Sequence, residues 1–281
     1  MNRGRCSPGL AATLGLMLLS TIAARAADKP LWEVGLGAGT LVFNDYRGAD
    51  TAHAYPIPVP YVTYRGKFLR SDYDGLRGQF LSNRYFEIKL SLDATTPASS
   101  HGSDTRRGMP NLEPTFDIGP ELDGHLWRSA NRRWRVDLDL PLRRAITLTS
   151  HPSAIGWQAA PSLDLDVLDI DGHEGWRAGA GVGPLYADAA YNRYYYGVAK
   201  AFATATRPVY RPNGGYAGTE TIVSTTRRFP KFWVFAFLRY DTLSGAAFAA
   251  SPLMRSRHYV LGGVGFAWMI AASDRMVSDA H

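Results

Sequence analysis

Taken two residues at a time, long stretches of the chain separate into a polar face and an apolar face. From Tyr85 to Thr96, Glu87, Lys89, Ser91 and Asp93 alternate with Phe86, Ile88, Leu90 and Leu92. From Leu112 to Asp123, Glu113, Thr115, Asp117, Glu121 and Asp123 oppose Leu112, Phe116, Ile118 and Leu122. From Arg133 to Leu148, Arg133, Arg135, Asp137, Asp139 and Arg143 oppose Trp134, Val136, Leu138, Leu140 and Leu142. From Ile155 to Val167, Ser162, Asp164 and Asp166 oppose Ile155, Trp157, Leu163, Leu165 and Val167. Successive side chains of a strand point to opposite faces, so each segment predicts a strand with one charged side and one apolar side. A helix needs a period near 3.6, which these segments lack.

Further strands are predicted at Trp32–Val42, Tyr61–Leu69, Trp176–Tyr186, Tyr194–Phe202, Tyr216–Thr226, Phe232–Thr242 and Tyr259–Trp268, with a short one from Gly75 to Leu81. Turn-forming clusters separate many of them, such as Ser129-Ala130-Asn131-Arg132 and Pro212-Asn213-Gly214-Gly215. No linker or change of composition marks a second domain. The expected fold is all-β: a single antiparallel transmembrane β-barrel of about twelve strands, with ten the alternative.

A soluble sandwich would produce the same alternation with its apolar faces turned inward. Aromatic residues near the strand ends favour the membrane, where they supply interfacial girdles: Trp32, Tyr61, Tyr64, Tyr85, Trp127, Trp134, Trp157, Trp176, Trp233, Tyr240 and Trp268. The N-terminus agrees. Arg3 and Arg5 precede an apolar stretch from Leu10 to Ile22, and Ala24-Arg25-Ala26 offers small residues for cleavage, so residues 1–26 read as a signal peptide and 27–281 as the barrel domain. Export to the outer membrane of a Gram-negative cell is the expected localisation.

Composition narrows the remaining options. Hydrophobic residues make up 46% and charged residues 20%, which excludes a disordered chain. Setting the N-terminus aside, no apolar run approaches the roughly 18–20 residues that a membrane-spanning helix needs. The one cysteine, Cys6, falls in the predicted signal, which removes disulfides and cysteine metal sites. The formal net charge of +6 includes three arginines of that signal, so it gives no case for nucleic acid.

Several segments resemble the MipA/OmpV family of outer-membrane proteins, the MltA-interacting proteins. They are Tyr55-Pro56-Ile57-Pro58-Val59-Pro60-Tyr61-Val62-Thr63-Tyr64-Arg65-Gly66; Arg107-Gly108-Met109 with Leu112; Asp117-Ile118-Gly119-Pro120-Glu121-Leu122; Tyr194-Tyr195-Tyr196-Gly197-Val198; Gly214-Gly215-Tyr216; and Leu243-Ser244-Gly245-Ala246-Ala247 with Ser251-Pro252-Leu253. Their order and spacing span the chain. The departure is at the end, where Trp268 is followed by thirteen residues to His281 instead of closing the chain with an aromatic. The resemblance implies a non-enzymatic scaffold that brings together a lytic transglycosylase and a murein synthase, with outer-membrane lipid and lipopolysaccharide around it. It carries over no catalytic residue.

The residues themselves offer modest chemistry. Arg133, Arg135, Asp137, Asp139 and Arg143 share one strand face, and Asp164 and Asp166 come from the next strand, so these charges form a ladder across the lumen. The ladder reads either as paired filling of a narrow barrel or as the constriction of a narrow pore for small polar solutes. Asp164, Asp166, Asp169 and Asp171, with Glu174, lack the twelve-residue calcium-loop pattern, so no metal is expected there. Ser256 with His258, and His151 with Ser153, lack the third group that orients a catalytic histidine, so no hydrolase and no cofactor is expected. Arg106-Arg107 and Arg227-Arg228 with Lys231 read as rim charges, Tyr191 and Tyr194–Tyr196 as girdle aromatics, and Pro56, Pro58 and Pro60 as a stiffened loop before its strand.

Overall fold

The computed structural model describes residues 28–66, 69–72, 75–78, 81–101, 103–170 and 175–278, which leaves the predicted signal peptide outside the described residues. β1 (Asp28–Pro30) is followed by β2 (Trp32–Asn44), β3 (Ala52–Arg65), β4 (Leu69–Asp72), β5 (Gly75–Gly78), β6 (Leu81–Ser82) and β7 (Phe86–Thr95). Then come β8 (Thr115–Arg128), β9 (Trp134–Thr147), β10 (Ala154–Ala159), β11 (Ser162–Leu168) and β12 (Trp176–Ala187). A helix, α1 (Ala189–Tyr196), precedes β13 (Gly215–Arg228), β14 (Phe232–Thr242), β15 (His258–Ala272) and β16 (Met276–Ser278).

Every pairing is antiparallel, and the order β5-β4-β3-β2-β15-β14-β13-β12-β10-β9-β8-β7-β6 joins the chain into one sheet, with β11 between β12 and β9. β5, at one end of this order, lies alongside β7, near the other end. Taking β5 with β6 and β10 with β11 as single passes, the described residues cross the sheet twelve times. β1 and β16 pair separately, Lys29 opposite Val277, so the residues that follow Trp268 complete β15 and then fold back onto the N-terminal strand.

Antiparallel passes sort the connections. Turns 83–85, 129–133 and 229–231 and the ends Leu168 and Trp176 of β11 and β12 lie at one end with β1 and β16, while the strand ends flanking 45–51, 96–114, 148–153, 188–214 and 243–257 lie at the other. All the long loops therefore share one mouth.

The alternation has an unusual polarity. Apolar residues face outward and stay exposed: Leu36, Val62, Leu140, Leu163, Val182, Val223, Val264 at 58% and Ile270 at 71%. Charged residues face inward and are buried, among them Glu33, Glu87, Lys89, Asp117, Asp123, Asp137 and Asp241. A soluble sandwich has the reverse arrangement. Outward aromatics ring the end with the turns (Trp32, Tyr64, Tyr85, Trp127, Trp134, Trp268) and mark the mouth at Trp157, Tyr186 and Tyr240.

Four expectations need correction. The strand predicted at Tyr194–Phe202 is α1 followed by a 3-10 turn at Lys200–Phe202. Asp188 caps the helix, its carboxylate accepting the Tyr191 N–H at 2.7 Å, and helical spacing buries Tyr191 with Tyr195. The predicted single strand Ile155–Val167 breaks at Ala160-Pro161, where proline has no N–H to continue the ladder. β4 separates from β3 as its own pass, so the count of twelve holds with one member exchanged. The three prolines sit within β3 rather than in a loop before it.

The inner face as the candidate functional site

The ladder residues are distributed unevenly. Asp164 stands opposite Asp137, and Asp166 opposite Arg135, in the β9–β11 register. Arg135 reaches both Asp137 at 2.6 Å and Asp166 at 2.5 Å. Asp164 is instead held by the Ser162 hydroxyl at 2.5 Å. Arg143 leans toward β7 and β8, donating to the Ser91 hydroxyl at 2.9 Å and lying 3.8 Å from Asp93. Asp139 is directed into the interior opposite Asp123. Arg133 precedes β9 at its turn and is exposed, apart from the other ladder residues.

Sequence reasoning missed these further inward pairs, some between neighbouring strands and some between segments nearly two hundred residues apart. Lys89 of β7 bonds to Asp123 of β8, while His125 lies 3.1 Å from Asp137. At the turn end, Glu33 of β2 binds Arg65 of β3 at 2.9 Å and also Arg228 of β13, which in turn donates to the Tyr61 hydroxyl at 2.6 Å. Near the mouth, Asp241 is fully buried between Arg239 at 2.8 Å and Arg47 at 2.6 Å, and Arg239 also holds Glu220 at 2.8 Å. Asp123, His125 and Asp137 bring three donor atoms within 4.8 Å of one another, but Lys89 and Arg135 already neutralise the two carboxylates. That donor set fits an ion-pair network better than a cation.

The opposite wall is aromatic. Trp233, Phe235 and Phe237 of β14 stack along the strand at 4.8 and 6.5 Å between ring centroids, and Tyr61 lies 5.7 Å from Trp233. Tyr61 and Trp233 therefore face inward, not into a girdle. Facing glycines make room for the rings: a Cβ on Gly265 would come within 2.7 Å of the Phe235 ring, and one on Gly263 within 2.6 Å of Phe237.

The mouth loops fold over the interior. Tyr191, Tyr195 and Tyr196 pack with Tyr46, Leu112, Leu243 and Phe248, and the Tyr196 and Phe248 rings stack at 3.6 Å. The tyrosines predicted as girdle residues are thus the core of a cap. Arg106, only 4% exposed, donates to the Tyr195 carbonyl at 3.0 Å, so it is a buried tie between loops and not a rim charge. Tyr46 and Ser251 add bonds to the Leu253 and Tyr196 carbonyls at 2.7 and 2.8 Å. Burial pushes the phenols of Tyr46, Tyr191, Tyr195 and Tyr196 above the usual tyrosine range.

Two cavities remain beneath the cap. One, of about 270 Å³, is polar and lies among Glu121, Asp139, Arg143, Asp164 and Glu220. The other, of about 230 Å³, has Leu41, Phe43, Phe237, Leu261 and Tyr195 on its walls, with Asp93 and Arg239 at its polar side.

The serine–histidine pairs do not form dyads. Ser256 bonds to the backbone of His258, whose ring meets Tyr240 at 2.6 Å, and Ser153 bonds to Thr147 while His151 meets Ser150. Asp169 adopts a left-handed backbone and caps the Gly175 N–H at 3.0 Å; Asp171 and Glu174 lie outside the described residues.

None of the curated proteins matches the chain. Among solved structures, a bacterial polysaccharide outer membrane secretin shares 11% identity over 85% of this chain and 99% of its own, with a TM-score of 0.40. The outer membrane protein OprG from Pseudomonas aeruginosa gives 9% identity over 88% and 100% at 0.23, and a Pseudomonas aeruginosa FadL homologue 10% over 86% and 89% at 0.27. At these scores the likeness adds nothing to what the strand pairing shows. Residues 36–270, from β2 to the end of β15, match the family described as MltA-interacting protein MipA. The chain belongs to that family.

Proposed function

We propose that the protein is a non-enzymatic outer-membrane β-barrel that anchors a periplasmic docking surface for murein-processing enzymes, a lytic transglycosylase and a murein synthase. On this reading residues 1–26 direct export, and 27–281 form the barrel, which closes where the β5–β6 pass lies between β4 and β7. Outward Val264, Ile270 and their neighbours meet lipid, and short turns face the periplasm as in other outer-membrane barrels. The observation that carries the reading is the contrast between the two ends. The mouth is folded over by its own loops, whereas the turn end exposes Arg84, Arg128, Arg132, Arg133, Lys231 and Arg275 beside both described termini. A basic face of this kind suits an acidic partner surface, steered by charge complementarity.

Crosslinking in intact cells tests the reading. Enrichment of a lytic transglycosylase and a murein synthase over an unrelated barrel is the expected result, reduced when Arg132 and Arg133 are changed to Glu. No enrichment at high crosslinking yield overturns the scaffold. A narrow pore for small polar solutes is the second reading, favoured by the polar cavity between Asp139, Asp164 and Arg143. It requires steady single-channel conductance in planar bilayers, sensitive to Asp139→Asn and Asp164→Asn.

A further inference from the structure

At the turn end of β13, two adjacent arginines point to opposite sides of the sheet. Arg228 is turned inward, where it binds Glu33 and donates to the Tyr61 hydroxyl at 2.6 Å. Arg227 is its neighbour on the strand and therefore faces outward, on the side of Val223, which is 47% exposed. It stands opposite Trp176 in the β12–β13 register and opposite Val234 in the β13–β14 register. A guanidinium at the border of a wall faced by Val223, Leu238 and Val264 needs a partner of its own chemistry.

Aromatic rings hold it in place. The guanidinium carbon of Arg227 lies 4.5 Å from the centroid of the Phe229 ring and 5.3 Å from the Trp176 ring. Phe229 stacks on Phe232 at 4.2 Å, and Phe232 on outward Trp268 at 6.0 Å. The tight turn brings the two phenylalanines together, the Phe229 N–H donating to the Phe232 carbonyl at 2.8 Å. These five residues make an aromatic shelf across β12, β13, β14 and β15, at the level where the strands end. Ring faces attract a cation and fix its position, but they offer it no oxygen. A guanidinium is a planar fork of donors that matches a phosphate two bonds at a time. Val223 lies four residues deeper along β13, about 13 Å, with Leu238 and Val264 beside it on the outward face.

We infer that Arg227, set on this shelf, binds the phosphate of a phospholipid in the leaflet at the turn end. The inference rests on the outer-membrane reading, which makes this the periplasmic leaflet, and goes beyond the murein scaffold. The phosphate accepts from the guanidinium fork, and the acyl chains lie against Val223, Leu238 and Val264. Trp176 and Phe229 are positioning residues that keep the fork at the height of the headgroups. The headgroup is chosen by charge. One that carries its own cation, such as choline, brings it up against the basic turn end, so phosphatidylglycerol is preferred to phosphatidylcholine.

The test is native mass spectrometry of the full chain, folded in detergent micelles and offered phosphatidylglycerol and phosphatidylcholine in equal amounts. Retention of phosphatidylglycerol over phosphatidylcholine is expected, with affinity lowered about tenfold by Arg227→Gln. Arg227→Lys should fall between, because an ammonium keeps the charge without the fork. Arg107→Gln removes the same charge from a mouth loop and should leave the preference unchanged. The heat-dependent shift of the folded band on gels confirms that each variant has folded. Excess inorganic phosphate separates a lipid site from a site for the free ion, and the lipid should stay bound. No preference, a preference unchanged in Arg227→Gln, an equal loss in Arg107→Gln, or displacement by inorganic phosphate would each overturn the inference. A folded chain that fails to insert into vesicles sinks the membrane reading itself, whereas one that inserts without the preference sinks only the lipid site.

Discussion

The two walls of the interior are built from the same alternation and filled in opposite ways. On β7 to β11 inward charges pair with one another, Lys89 with Asp123 and Arg135 with Asp137 and Asp166, while Asp164 and Asp117 are held by neutral side chains. Along the middle of β14, β15 and β2 the inward positions are rings lying over glycines, Phe235 over Gly265 and Phe237 over Gly263, with ion pairs only toward the strand ends at Glu33, Arg239 and Asp241. A polar wall tolerates large side chains on both strands because opposite charges attract across it. An aromatic wall needs its neighbour reduced to backbone, since a ring of 150 Å² or more, by general survey, has nowhere else to lie. The cap extends the aromatic solution to the mouth through Tyr196 and Phe248.

The sharpest way to break this comparison is on the glycine side. A Cβ at Gly37 would lie 1.7 Å from the Phe266 carbonyl oxygen, so Gly37→Val must push β2 off β15. We expect a loss above about 4 kcal/mol, seen as disappearance of the heat-modifiable folded band. On the charged wall, Lys89→Met leaves Asp123 buried without its cation and costs about 3–5 kcal/mol, measured by denaturant unfolding in micelles. The double change Lys89→Met with Asp123→Leu should recover most of that loss, because two apolar groups need no partner. Recovery would show that the charges are filling; continued loss would show that they hold a wider network.

The cap should fail before either wall as pH rises. Its phenols titrate higher when folded than unfolded, so the folded state keeps protons that the unfolded state releases above about pH 10. Stability from this source is intact below that pH and falls above it, by at most about 1.4 kcal/mol per phenol per pH unit. Proteolysis within 188–214 should accelerate there while the strands remain protected. The smallest effect belongs to the exposed pair Arg107–Asp104, at 2.6 Å. Asp104→Ala should change stability by less than about 0.5 kcal/mol in the same unfolding measurement.

Much of the sheet was legible because alternation is local. Glu87 to Asp93 and Arg133 to Arg143 declare a face by their own spacing, with no knowledge of their neighbours. Where one face lacked that contrast the reading failed. Tyr194–Phe202 carries aromatics without an opposing charged row, and the Asp188 cap with loop packing made part of it a helix. Tyr61 and Trp233 were read as girdle residues because of their type, although parity places Tyr61 on the inner face with Thr63. Pro56, Pro58 and Pro60 read as loop because proline interrupts interior ladders, yet all three lie in β3 opposite Thr40, Ala38 and Leu36.

The sequence by itself determined that this is an antiparallel all-β chain with one polar and one apolar side, and about twelve strands, because strand periodicity needs only adjacent residues. It also determined the family, through segments spread along its length. Only the tertiary structure decided which charges meet, since Glu33 and Arg228 or Arg47 and Asp241 lie nearly two hundred residues apart. It alone decided that the mouth is capped and that β14 and β15 pack rings against glycines. Those outcomes depend on which strand ends beside which and how far each hairpin reaches, and no local pattern records either.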